Sequence, residues 1–186
     1  MKHPKIFFED SFCIQELVLS TNYDKKLKNF INKFEKFFRK YEQTILELIK
    51  KYTGFGWKEK EITIWLFNSN LDSIPDPVLV SVKNYNKYVV LFETVRMLAL
   101  RILLFNDIYS YYERCSKAID KVEVYSYLIG KEVIKDILGD NILKKIYNSL
   151  ADDFNLYLWE DCKRLEEKID LNKLTIKKSL KKNIML

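Results

Sequence analysis

Glu93 and Arg96 are the ionisable pair best placed to do chemistry in this chain. They lie three residues apart in YVVLFETVRMLALRILLF, Tyr88 to Phe105, the longest apolar run of the sequence. A carboxylate on such a run can act as a general base or help to hold a cation, provided a cleft opens beside it. Few other groups compete. His3 is the only histidine, and it stands beside the first residues, where chains tend to be mobile. That removes a Ser-His-Asp or Cys-His triad and a histidine-ligated zinc or iron site. No G-x-x-x-x-G-K-[ST] or G-x-G-x-x-G occurs, so the usual phosphate-cradling loops are missing. GFGW, Gly54 to Trp57, reads as a helix stop. Asp152-Asp153 and Glu160-Asp161 are carboxylate pairs able to bind a hard cation, but they read better as a helix start and a solvated helix face.

The segment FETVR, Phe92 to Arg96, has the shape of H-E-x-x-H with both histidines replaced. It follows ITIWLF, Ile62 to Phe67, and VLVSV, Val78 to Val82, two β-branched runs that read as strands. Pro75 and Pro77 just before VLVSV suit an edge strand, because proline donates nothing to a ladder. This order of strand, edge strand and apolar helix resembles the small zincin-like metallopeptidase domains, over about Trp57 to Gly139. The resemblance implies that VVLFETVRMLAL is the active-site helix. It also implies that Val78, Val80 and Val82 belong to a substrate-side strand able to pair with an extended peptide. Glu93 takes the place of the family's general base, and Phe92 and Arg96 take the places of its zinc-binding histidines. A third ligand would come from VEVYSYLIGKEVI, as Glu123 or Glu132.

The departures decide what carries over. Two imidazoles at i and i+4 share one helix face and hold the metal together. Phenylalanine cannot ligate, and the arginine cation would repel a divalent ion. The expectation is a zincin-like shell without its metal. A plainer reading stands beside it: Glu93, Thr94, Arg96 and Arg101 fall within one arc of the helix. They would then form a narrow solvated stripe in which Glu93 and Arg96 are a modest i, i+3 ion pair.

The elements that must position these residues follow from periodicity. Lys5 to Phe8 and Cys13 to Leu19 read as short strands joined by a turn at Glu9-Asp10-Ser11. Apolar positions from Tyr23 to Tyr52 recur at helical spacing, predicting one long helix that Gly54 and Gly56 terminate. Asn84 to Asn86 turns into the central helix. Further helices are expected over Ile108 to Ile119, Val122 to Leu138 with Gly139 as its stop, Asp140 to Leu150, and from Asp152 or Asp153 to Ile169.

Hydrophobic content of 48% with 31% charged residues describes a folded chain, and 4 Gly with 3 Pro leaves few breakers, which favours helix. The fold class expected is α+β, predominantly helical, with a small sheet packed on the central apolar helix. The central run carries too many charges for a membrane span, no export signal is visible, and three scattered cysteines read as reduced thiols; a cytoplasmic location is expected. Of the formal charge of +6, five units lie on Lys173, Lys177, Lys178, Lys181 and Lys182. The chain thus divides into one globular domain, 1–170, and a basic tail, 171–186. The tail reads either as a segment for nucleic acid or another acidic partner, or as a last element docked by its apolar face.

The sequence therefore predicts a protein with no catalytic residues, no metal and no cofactor, acting through protein or peptide binding. Nucleic-acid binding through the lysine tail is the alternative. So is a helical assembly protein whose ring-rich Tyr23 to Tyr52 helix packs against another copy.

Overall fold

Alternating burial defines the sheet. In the computed structural model, which describes residues 3–10, 25–68, 73–82, 85–106, 118–150 and 156–181, four strands form one sheet in the order β1-β2-β4-β3. They are β1 (Lys5–Asp10), β2 (Glu61–Phe67), β3 (Ile74–Pro75) and β4 (Val78–Ser81). β1 and β4 run parallel to β2, and β3 runs antiparallel to β4. The register sets Ile6 beside Ile62, Phe8 beside Ile64, Ile64 beside Val78 and Leu66 beside Val80. With a period of two, all of these project from one face, and that face meets the helices. The opposite face carries Lys5, Phe7, Glu9, Thr63 and Trp65, which are exposed or half-buried.

The expected edge strand is not at the edge. β4 is hydrogen-bonded to β2 on one side and to β3 on the other, and Val82 continues the contact by donating its N–H to Phe67 O at 2.8 Å. The prolines sit instead in or beside the two-residue β3, which takes the outer position. Among the described residues β1, at the opposite side of the sheet, has a neighbouring strand on one flank only.

Seven helices are present among the described residues: α1 (Lys25–Arg39), α2 (Glu42–Thr53), α3 (Lys87–Phe105), α4 (Ala118–Leu138), α5 (Asp140–Leu150), α6 (Leu156–Glu166) and α7 (Ile176–Lys181). The mostly helical α+β class is as expected. The single helix expected over Tyr23 to Tyr52 is two. At the break the Lys40 and Tyr41 amides donate to Phe37 O and Phe38 O, three residues back, and the ladder restarts from Tyr41 O to Ile45 N. No glycine or proline announces this. Arg39 bridges it, donating to Glu35 and Glu42 at 2.7 Å each. The bend leaves Phe34 and Phe38 against Phe8, with edge-on ring contacts at 5.5 and 5.0 Å.

α3 is buried without interruption from Val89 to Leu100, packed between the sheet and the helices α2 and α4. Asn86 caps its start, accepting from Tyr88 N at 3.0 Å, and Asn106 closes its end, donating to Ile102 O at 2.8 Å and Gly56 O at 3.1 Å. The basic tail is docked rather than separate: Leu171, Ile176 and Leu180 are buried in the same core. The expected strand at Cys13 to Leu19, the helix over Ile108 to Cys115 and the caps Asp152 and Asp153 lie outside the described residues. No helix among the described residues is long and apolar enough to cross a membrane.

Gly54 and Gly139 end α2 and α4 as the sequence predicts, with φ of +73° and +80°. They differ in surroundings: a Cβ on Gly54 would meet Thr175 Oγ1 at 2.6 Å, whereas one on Gly139 would meet nothing. Gly139→Ala should therefore cost about 1–2 kcal/mol from the left-handed backbone alone. Gly54→Ala should cost measurably more, because Thr175 must move and α7 with it. Equal shifts of the urea midpoint for the two variants would contradict this.

Candidate functional site

The candidate site is where α3 faces α4. Close approach here depends on Gly130, since a Cβ at that position would stand 3.2 Å from the Phe92 ring. Phe92 packs on Tyr127 with ring centroids 5.6 Å apart. Arg96 donates from Nη2 to Glu93 Oε2 at 2.8 Å and from Nε to the same oxygen at 3.2 Å. Its guanidinium carbon also lies 4.6 Å from the centre of the Tyr127 ring. Glu93 is 8% and Arg96 6% exposed, so the solvated-stripe reading fails. The physical reason is that α3 is enclosed on all sides, and its polar residues share that enclosure.

Each polar side chain of α3 has found a separate solution. Burial alone would lower the Arg96 pKa, but the Glu93 carboxylate beside it outweighs that, and the guanidinium is held cationic more firmly than in water. Thr94 Oγ1 donates to Val90 O at 2.7 Å within its own helix. Arg101 reaches outward, pairing with both oxygens of Glu59, with Asp76 at 2.8 Å and with Pro75 O at 2.8 Å. That cluster ties α3 to the segment before β2 and to the β3–β4 turn. The remaining Glu93 oxygen, Oε1, is buried and has no hydrogen-bond partner among the described residues.

Chemically the arrangement is closed. The place where a second ligating side chain would stand is filled by a cation already bonded to the only nearby carboxylate of the helix. Of the two further acids considered, Glu123 is half-buried and adds to the field that stabilises the Arg96 cation. Glu132 stands in a different environment. Its carboxyl is pushed up first by burial and lies within the influence of Lys135, Glu166, Lys131 and Asp136. The structure thus brings Glu93, Phe92 and Arg96 together and leaves Glu132 apart. Among the described residues no group of three or more His, Cys, Asp or Glu side chains is placed to hold a metal ion.

The other expected sites are placed as follows. Val78, Val80 and Val82 are fully buried inside the sheet and cannot meet a peptide. Lys173 is exposed and pairs with Asp170 at 3.0 Å, Lys177 lies 5.2 Å from the Phe55 ring, and Lys178 is exposed. Lys181 ends α7, and Lys182 lies outside the described residues. A groove of about 560 Å³ at the end of α2 is lined by His3, Glu47, Lys50, Lys51 and the Gly54 to Gly56 backbone, with no contribution from α3.

Sequence reasoning missed three polar contacts that join distant helices. Tyr52 donates to Asp136 Oδ2 at 2.5 Å, Lys131 pairs with Glu166, and the Cys162 thiol lies buried beside that pair. The partners are far apart in the chain, and no local spacing signals them. The chain matches no family model, no curated protein and no solved structure.

Removing one member of the buried pair leaves the other charge uncompensated. Arg96→Met should cost about 3–5 kcal/mol, and the double variant Glu93→Gln/Arg96→Met clearly less than the sum of its single changes. Strict additivity in chemical denaturation would count against the pair. Burial, and then Glu166, pushes the Cys162 thiol from 9.0 up to about 12, and burial likewise raises Tyr52. Both groups hold their protons more tightly when folded than when unfolded. Their stabilisation is therefore complete below pH 9.0 and is lost as pH rises toward about 12. Denaturant midpoints should fall over that window, and less steeply for Cys162→Ala.

Proposed function

We propose that this is a non-catalytic, zincin-like protein that binds another polypeptide by adding an extended segment to its sheet. The absence of catalysis is supported by the Glu93–Arg96 pair: the acid in the general-base position is neutralised, and the neighbouring position is a fixed cation rather than a ligand. The binding half rests on β1, paired on one flank only among the described residues. Strand addition needs a row of unpaired backbone donors and acceptors, and a side strand of a sheet supplies one.

The row can be assigned. Lys5 N donates to Lys60 O at 2.9 Å, toward β2. Because N–H and C=O of one residue in a strand point the same way and alternate along it, Phe7 and Glu9 also face β2. Ile6, Phe8 and Asp10 then direct their backbone groups outward. This moves the peptide-binding edge expected at Val78 to Val82 to the far side of the sheet.

Two measurements test the proposal. Protein purified from zinc-supplemented medium should carry zinc well below one ion per chain, and stoichiometric zinc would overturn the metal-free reading. In hydrogen exchange at high dilution the Ile6 and Phe8 amides should exchange much faster than those of Phe7 and Glu9. Equal protection of all four at every dilution would overturn the open edge.

A further inference from the structure

We infer that the segment received by β1 is β1 of a second copy of this chain, running antiparallel about a two-fold axis at Phe7. The inference rests on the open-edge reading above and narrows it to one partner. Two observations carry it. The first is hydrogen-bond parity. Only Ile6, Phe8 and Asp10 point outward, so an antiparallel copy must set even-numbered residues opposite even-numbered ones, which allows axes at Ile6, Phe7 or Phe8 but none between residues. The second is charge. Lys5 and Glu9 are exposed on the same outer face, at the two ends of the strand. Only the axis at Phe7 places Lys5 of each copy opposite Glu9 of the other.

That register is self-consistent in the remaining positions. Ile6 faces Phe8 of the second copy as a hydrogen-bonded pair, so the apolar face against the helices continues across the junction. Phe7, half-buried with the Lys5 ammonium 4.8 Å from its ring centre, meets its own copy on the outer face. Asp10 falls opposite Pro4, whose carbonyl can accept but whose nitrogen has no proton to give. The ladder ends there without a stranded donor on the proline side. The product is a continuous sheet running through both molecules.

The test uses the full chain in sedimentation equilibrium, with circular dichroism to check that each variant is folded. The wild-type chain should self-associate to a dimer. Lys5→Glu and Glu9→Lys each set like charges together twice per dimer, and each alone should self-associate about tenfold more weakly. Mixing the two single variants restores both opposite-charge contacts, and so does the double variant Lys5→Glu/Glu9→Lys; both should dimerise like the wild type. A wild-type chain that is monomeric throughout, or single variants that associate like the wild type, would overturn the inference. So would a mixture that fails to recover. The broader reading is separable: a monomer whose Ile6 and Phe8 amides exchange rapidly removes only the second copy as partner. Protection of those amides at every dilution removes the open edge as well.

Discussion

Enclosure of α3 is the constraint on which the rest of the structure depends. A helix packed between a sheet and other helices has no face left for charge, yet this one carries a glutamate and two arginines. Each ion removed from water must recover its lost hydration from the protein. Glu93 and Arg96 do so from each other and from the Tyr127 ring, within one turn and without leaving the interior. Arg101, two turns farther on, instead reaches Glu59 and Asp76 at the margin of the sheet. Spacing along the helix thus sorts three charges into one internal pair and one external clamp.

The same accounting explains the ends of α3. A helix with apolar sides cannot leave its terminal backbone groups bare inside a core. Asn86 and Asn106 supply an acceptor at one end and a donor at the other, and Asn106 also reaches Gly56, joining α3 to the loop after α2. Trp57 donates to Leu46 O from the same loop, so the short stretch between Gly54 and Trp57 fixes α2 and α3 together.

The sequence was informative where structure is local. The strands Ile62 to Phe67 and Val78 to Val82, the central helix and the glycine stops at Gly54 and Gly139 all follow from periodicity and left-handed caps. Sheet order did not follow. Prolines beside a strand suggest an edge, but here they mark β3, a two-residue strand that covers β4 and buries the valines. The fate of Glu93 was equally hidden, because a polar arc on a helix looks the same whether it meets water or another helix. The break at Lys40-Tyr41 has no breaker residue; it answers to the packing of Phe34 and Phe38 on β1, a contact between distant segments.

The seat of α7 on Gly54 bears on the order in which the molecule assembles. Lys51 and Asn172, which meet across that seat, are 121 residues apart. Closing so long a loop is entropically demanding and belongs to the late part of folding. During synthesis the end of α2 must therefore stand uncovered while most of the remaining chain is made. Until α7 emerges, Thr175 is missing from the glycine it abuts, and the growing polypeptide presents Phe55 without the cover it later receives.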